Sequence, residues 1–323
     1  HYRKFGRTGW DVSEISFGAW QLGGQWGSVD DEESIAALLQ AYEQGINFVD
    51  TAELYGAGHS EEVIGESLRR WAGDKIYVAT KIQPVQWPDP DQDEPQMRGR
   101  YPEWYLRQGV DTALERLGVE RLDLLQLHCW VGSGIRELDW LETLNDLRAE
   151  GKIDRIGVSI RDYRPDEGVQ VAELSLVDSI QVIFNLFEQR PVDALLPAAG
   201  RTSTAIIDRV AFDSGSLSGL WTPATYDGWE DGSQQKEMFR GERFTETLAR
   251  VEALKEVVAP YYSSLAEAAV KYVLSSPEVS TVIAGISSSR NIARNVGYSD
   301  GEPFPDELRA KLADHAWIRN YYK

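Results

Sequence analysis

Cysteine is nearly absent from the 323 residues: Cys129 stands alone, so no intramolecular disulfide can form and a disulfide-stapled scaffold is excluded. Histidine is scarce too. His1, His59, His128 and His315 share no ligand spacing, and no metal site is expected. No run of about 18 apolar residues exists, which excludes a membrane-spanning helix. Positive charge is in short supply, with 33 Lys and Arg against 52 Asp and Glu and a formal net charge of −19. No basic cluster stands out, so a nucleic-acid partner is excluded, and any anionic ligand must find a local positive pocket. Residues His1–Trp10 hold no apolar signal core, so a cytoplasmic location is expected. Finally, Gly18-Ala19-Trp20 does not supply the G-x-G-x-x-G that a doubly wound dinucleotide fold needs after its first strand.

What is there is rhythm. Hydrophobic residues make up 42% and charged residues 26% of the chain, enough for a packed core rather than disorder. Tyr2–Phe5 and Val12–Ile15 read as a β-hairpin around Gly6, Thr8 and Gly9. Eight short apolar runs follow: Ile15–Phe17, Ile46–Val49, Ile76–Ala79, Leu122–Leu127, Ile156–Val158, Ile180–Ile183, Ala205–Ile207 and Val279–Ile283. Helical periodicity fills the gaps, as in Glu32–Gln44, Glu61–Trp71, Trp104–Leu117, Leu138–Glu150 and Leu265–Leu274. Asp30 and Glu33 open the first of these like a capping box. Gly45, Gly118 and Gly151 stand where a left-handed stop is expected. Eight strand–helix repeats favour one closed (β/α)8 TIM barrel over residues 1–323, an α/β fold. Gln83–Tyr101 and Leu220–Arg243 break the repeat and read as long loops on the strand C-terminal face, of the kind that cover functional sites.

Barrel enzymes place their chemistry beyond the C-terminal ends of the strands. Reading that rim off the repeats gives Trp20, Asp50, Lys81, His128, Ser159, Gln181, Arg209 and Gly285, with Tyr55 close behind Asp50. Proton transfer is the chemistry this suggests. A phenol titrates near 10, and an ammonium beside it stabilises the phenolate, so Lys81 is expected to lower the Tyr55 pKa. Asp50 would hold Lys81 charged, and His128 would orient a substrate oxygen. Taken singly, an ordinary ion pair, a packed tyrosine and a satisfied core histidine explain the same residues; together on one rim they point to a site.

The residues then resemble a known family. Phe48-Val49-Asp50-Thr51-Ala52-Glu53-Leu54-Tyr55-Gly56 with Ser60-Glu61, Ala79-Thr80-Lys81, and Leu122-Asp123-Leu124-Leu125-Gln126-Leu127-His128 are similar to the aspartate–tyrosine, lysine and histidine motifs of the aldo-keto reductases. Gly151-Lys152-Ile153 with Ile156-Gly157-Val158-Ser159 is similar to the segment before the family's nicotinamide contacts. The resemblance runs from Tyr2 to about Tyr298. It implies hydride transfer between a nicotinamide cofactor and a carbonyl, with Tyr55 as acid or base. Lys81 and Asp50 would tune it, His128 would orient the carbonyl, and Trp20 would line the pocket beside the nicotinamide.

The resemblance also implies cofactor contacts. Ser159 and Gln181 match carboxamide-binding positions, whereas Ile160 stands where the family has an asparagine. Arg209 replaces an aromatic residue, and its planar guanidinium can stack on a ring. The loop Ser214-Gly215-Ser216-Leu217-Ser218-Gly219 resembles one that passes over the pyrophosphate, which backbone amides can cradle. Gly285, Ser287, Ser288, Arg290, Asn291 and Asn295 resemble the adenosine-phosphate motif, with Ser287, Ser288 and Arg290 suited to a 2′-phosphate. NADP(H) is therefore favoured, with NAD(H) as the alternative. Arg294 stands where the family has a glutamate, and Arg290 and Arg294 can equally be read as solvating a helix.

Tryptophan is abundant, with 11 residues. Trp20, Trp26, Trp87, Trp130, Trp221 and Trp229 fall at strand ends or in loops of the presumed active face. They suit a flat polar substrate such as a sugar, or else pack the long loops. A neutral aldehyde, ketone or sugar is the expected substrate. Two other classes stay open: a cofactor-binding regulatory subunit of the potassium-channel beta type, and a non-redox barrel hydrolase or lyase, which would want paired rim carboxylates. Cys129 is expected to be a small buried hydrophobe.

Overall fold

The computed structural model describes residues 1–23, 30–285 and 289–321, the side chains of Ser289 and Arg290 excepted. The chain opens with β1 (Tyr2–Lys4) and β2 (Asp11–Ser13), an antiparallel pair in which Tyr2 faces Ser13. Then come β3 (Ile15–Gly18), β4 (Phe48–Asp50), β5 (Tyr77–Ile82), β6 (Leu122–Trp130), β7 (Ile153–Ile160), β8 (Ser179–Ile183), β9 (Ala205–Arg209) and β10 (Val279–Gly285). These eight are parallel and close on themselves through β10 and β3. The expected (β/α)8 barrel and its hairpin are both present. Parallel strands covered on both sides read as near-continuous apolar runs, which is why the strands were visible in the sequence.

The helices are α1 (Asp31–Glu43), α2 (His59–Arg70), α3 (Glu103–Leu117), α4 (Asp139–Ala149), α5 (Glu167–Glu173) and α6 (Leu195–Thr202), followed by α7 (Gln234–Met238), α8 (Glu242–Val258), α9 (Leu265–Leu274), α10 (Ser289–Gly297) and α11 (Asp306–Ala313). Asp30 caps α1 by accepting from the Glu33 amide at 3.0 Å, which satisfies one otherwise orphaned donor. Gly118 ends α3 in the left-handed region at φ +66°, where a Cβ would be strained. Gly45 and Gly151 adopt the same conformation after α1 and α4. Among the described residues no helix is long and apolar enough to cross a membrane.

The two ends of the barrel are built differently. At the N-terminal end the hairpin brings Phe5, Trp10 and Val12 against Phe48, Ala79, Leu124, Ala205 and Ile207. At the other end the strands finish in polar residues: Asp50 lies level with Gly18 and Ala79, Lys81 with Gln126, and Ser159 with Gln181. The segment 83–101 is a long loop, as expected. Leu220–Arg243 is not wholly irregular: it contains α7 and a short 3-10 turn at Tyr226–Gly228.

Candidate active site

Lys81 is the hub. Its side chain is wholly buried at the end of β5, and its ammonium donates to Asp50 Oδ2 at 2.6 Å, to the Thr51 carbonyl at 2.8 Å and to Tyr55 Oη at 3.3 Å. An ammonium has three protons, so none is left unsatisfied. The other Asp50 oxygen accepts from Gln181 Nε2 at 2.8 Å and from Gln126 Nε2 at 3.3 Å. A buried carboxylate and a buried ammonium are thus paired and also hydrogen-bonded, the condition under which burying charge is tolerated. The His128 ring stands edge-on to the Tyr55 ring at 5.9 Å, with Trp20 at 6.4 Å on the tyrosine and Trp87 at 5.6 Å on the histidine.

Local backbone chemistry fixes Tyr55. Gly56, Ala57 and Gly58 follow it, all with positive φ. A Cβ on Gly56 would lie 2.7 Å from the Gly23 carbonyl oxygen, so only glycine allows the Tyr55 loop to approach the turn after β3 this closely. Ser60 ties the strand ends together, donating to the Ala19 carbonyl at 3.0 Å and sharing a hydrogen bond with Thr51 Oγ1 at 2.8 Å. Glu61 accepts from Thr80 at 2.5 Å and pairs with Arg116. The Ser60-Glu61 pair therefore braces the site from behind.

The electrostatics correct one expectation. Burial pushes the Tyr55 phenol up, and this outweighs the downward pull of Lys81, which Asp50 partly cancels. Lys81 is itself raised: burial opposes its charge, but the Asp50 carboxylate and Tyr55 overcome that cost. His128 is driven well below the usual histidine range by burial and then by the charges of Lys81 and Arg209. Its imidazole is neutral at physiological pH, and its Nδ1 is buried with no hydrogen-bond partner. The Cys129 thiol is buried and pushed up to about 12, so it is an inert packing residue.

Above this cluster opens a cleft of about 1370 Å³, larger than the roughly 300–1,000 Å³ of ordinary small-ligand pockets. Asp50, Tyr55 and His128 line its floor. Of the residues singled out in the sequence, Trp20, Trp87, Ser159, Gln181 and Arg209 also line it. So do Ser214, Gly215, Gly285, Asn291 and Asn295, which carry the cleft away from the floor toward α10. Asn295 is 1% exposed, and neither its Oδ1 nor its Nδ2 has a hydrogen-bond partner. Buried polar atoms are almost always paired, so an orphaned amide beside an elongated cleft fits a ligand that carries donors and acceptors along its length. A dinucleotide answers that description.

Several expected contacts are not brought to the cleft. Trp130 is fully buried in the core, its indole donating to the Glu167 carbonyl at 2.9 Å and its ring edge-on to Trp140. β6 runs on through residue 130, which turns this side chain into the helix layer. Trp229 and Trp221 pack with Met238, Phe239 and Phe244 in a satellite cluster that the long loop forms with α7 and α8. Leu217 belongs to the core and its amide bonds the Phe212 carbonyl, while the Gly219 amide bonds that of Ser216. The loop uses these amides for its own turns, leaving them no phosphate to cradle. Ile160 is 1% exposed and belongs to the core, its side chain reaching toward Gly168 of α5, so it offers no amide where the family has an asparagine. Trp26, Ser287 and Ser288 lie outside the described residues, as does the side chain of Arg290.

Other residues emerge only in three dimensions. Gln126 bonds Asp50, and its signal was its position two residues before His128 on the same strand face. Asp162 pairs with Arg209 at 2.6 Å, and the same guanidinium donates to the Ile160 carbonyl at 3.0 Å. Arg161 fastens the loop 83–101 over the rim by donating to the Gln92 carbonyl at 3.0 Å while paired with buried Glu167. Arg294 and Asn320 also line the cleft. No sequence pattern marked Asn320, 25 residues beyond Asn295.

A family model described as the aldo/keto reductase family matches residues 14–316. The aldo-keto reductase YhdN of Bacillus subtilis is 29% identical over 288 residues, covering 88% of this chain and 84% of that protein. A D-threo-aldose 1-dehydrogenase of a Pseudomonas species is 28% identical, with 95% of each chain covered. Among solved structures, the glycerol dehydrogenase of Gluconobacter oxydans superposes with a TM-score of 0.77 at 27% identity, covering 95% of this chain and 92% of that one.

Proposed function

The chain belongs to the aldo/keto reductase family, and on that premise we propose that it exchanges hydride reversibly between NADP(H) and the carbonyl or alcohol of a neutral aldehyde, ketone or sugar. The observation that carries this reading is the 3.3 Å contact between Lys81 Nζ and Tyr55 Oη on the floor of the cleft.

A bound reduced nicotinamide would supply the hydride, which no side chain can. In reduction, Tyr55 gives its proton to the carbonyl oxygen as negative charge develops there, acting as a general acid. Its upward-shifted pKa keeps that proton in place beforehand. Burial alone would make the resulting phenolate costly, and the Lys81 ammonium offsets that cost at the moment it arises. Asp50 holds Lys81 charged and aimed. Neutral His128 offers one N–H and one lone pair, so it orients the substrate oxygen without competing as an acid. In alcohol oxidation the same Tyr55 oxygen takes the proton back.

For the cofactor, Asn295, Asn291, Ser214, Gly215, Ser159, Gln181 and Arg209 are the residues that would hold it. The preference for NADP(H) rests on the resemblance of Ser287, Ser288 and Arg290 to the adenosine-phosphate motif, since hydroxyls and a guanidinium suit a 2′-phosphate. For the substrate, Trp20 and Trp87 flank the tyrosine and histidine, and aromatic walls suit the faces of sugars. Trp229 and Trp130 are not part of that wall. Relatives named for an aldose and for glycerol fit a neutral polyhydroxylated substrate.

Quenching of NADPH fluorescence followed by absorbance assays over a carbonyl panel tests the proposal. Binding with turnover of neutral aldoses or aldehydes is expected. Much faster turnover of phosphorylated aldoses would overturn the substrate class. Tight binding with no turnover on any carbonyl would replace the enzyme with a regulatory subunit.

A further inference from the structure

The residues after α11 have no role in the reaction described above, yet they reach the cleft. The tail crosses the active face, with the Trp317 amide donating to the Phe187 carbonyl at 2.8 Å and Asn320 lining the cleft. Between them lies Arg319, whose side chain is 6% exposed. Its guanidinium stacks over Trp317 at 4.1 Å, Phe187 at 5.0 Å and Tyr321 at 5.1 Å. It forms a buried ion pair with Asp213, 106 residues earlier in the chain.

Asp213 opens the loop that turns Ser214 and Gly215 toward the cleft. Asp213, Ser214 and Gly215 all have positive φ, at 47°, 56° and 102°. Two of the three carry a Cβ, and such backbone persists only where its surroundings over-determine it. Backbone bonds hold the turn locally, the Asp213 amide donating to the Val210 carbonyl at 2.8 Å and the Gly215 amide to that of Phe212 at 2.9 Å. Asp213 Oδ2 accepts from Ser216 Oγ at 2.6 Å and from Arg319, and the Ser214 carbonyl accepts a long 3.4 Å hydrogen bond from Gln235. The Ser216 bond is internal to the loop and cannot fix it relative to the barrel. The Arg319 ion pair can, because Arg319 is itself locked by three rings.

We propose that Arg319 is a positioning residue for cofactor binding: through Asp213 it holds the Ser214–Gly215 turn in the conformation that lines the cofactor's part of the cleft. The inference rests on the reading of this loop as part of the cofactor site. It makes the tail, not the barrel alone, a determinant of cofactor affinity and residence time.

The test is equilibrium and stopped-flow fluorescence with NADPH on the full chain. Arg319→Met keeps aliphatic bulk among the rings but removes the charge; it is expected to raise the dissociation constant about tenfold, chiefly through faster release. Arg319→Lys, which restores the charge, is expected to recover most of the affinity. A purely packing role predicts no such rescue, because both side chains fill similar volume. Asp213→Asn should reproduce the Arg319→Met effect, and the double variant should be no weaker than either single one. Arg319→Met and Asp213→Asn both within twofold of wild type would overturn the inference, even if thermal stability falls. Wild-type protein that fails to quench NADPH fluorescence at all would overturn the functional reading and this inference with it.

Discussion

The two ends of this barrel use the same strands for opposite purposes. At the hairpin end, Phe5 is fully buried, its ring 5.5 Å from Trp10 and 5.2 Å from Phe48, and Trp10 stacks on Tyr77 at 4.4 Å. At the cleft end, strand positions of the same interior hold Asp50, Lys81, Gln126 and Gln181. The first arrangement removes apolar surface from water and contributes stability roughly in proportion to the area buried. The second buries charges whose desolvation cost consumes much of their mutual attraction. The barrel therefore carries its costly chemistry at one end because apolar packing elsewhere offsets it.

The sharpest way to break that contrast is to change one residue at each end. Tyr55→Phe should lower carbonyl reduction about 10²–10⁴-fold, the usual contribution of a positioned general acid. NADPH affinity should stay nearly unchanged, with only about 1 kcal/mol of stability lost with the hydroxyl. Turnover near the wild-type rate would remove Tyr55 as the acid. Phe5→Ala at the other end should do the reverse, costing about 3–5 kcal/mol of folding free energy while the folded fraction turns over at the wild-type rate. A comparable fall in kcat would mean that the hairpin plug and the cleft are coupled.

A smaller effect divides the cleft itself. Arg290→Ala should weaken NADPH about tenfold or more relative to NADH, since a hydrogen bond to a charged group contributes roughly 1.5–3 kcal/mol. Equal losses for the two cofactors, measured by fluorescence titration, would remove the 2′-phosphate assignment and with it the preference for NADP(H).

How much of this was legible in the sequence follows the same division. The strands were readable because parallel strands, covered on both faces, carry unbroken apolar runs. Asp50, Lys81 and His128 were readable because each ends such a run, and the structure brings them together with Tyr55. Trp130 misled because the sequence does not say how far β6 continues; residues near a strand's end alternate between cleft and helix layer, so one position decides the outcome. Trp229 misled for another reason: a long loop rich in aromatics can form its own core with α7 and α8 instead of lining a cleft. The direction of the Tyr55 shift was not legible at all. It depends on how completely the phenol is buried, a property of packing rather than of neighbours in sequence. Asp162 and Arg319 were equally hidden, since each acts through a partner far away in the chain.

The smallest expected effect is also the most diagnostic, because it is a near-absence of change. Between about pH 5.5 and 7.5 an unperturbed histidine loses its proton, and a site relying on imidazolium would lose reduction rate across that window. Here burial, Lys81 and Arg209 hold His128 well below that range, so it is already neutral at the acid edge. Tyr55 and Lys81 are both raised, so both keep their protons past the alkaline edge. The kcat/KM for carbonyl reduction should then vary less than about twofold across the window. Further up, as pH climbs through the Tyr55 pKa, the proton donor is lost and reduction falls, whereas alcohol oxidation, which needs the proton acceptor, gains. A pH–rate profile in both directions checks this, and an inflection near 6.5 in the reduction limb would show that His128 titrates as an acid. The hairpin end should be silent over the same window for a different reason: Phe5, Trp10, Val12, Phe48 and Leu124 have nothing to titrate. One end ignores pH because its packed core has nothing that titrates in this window, the other because burial takes His128 below it while Tyr55 and Lys81 keep their protons above it.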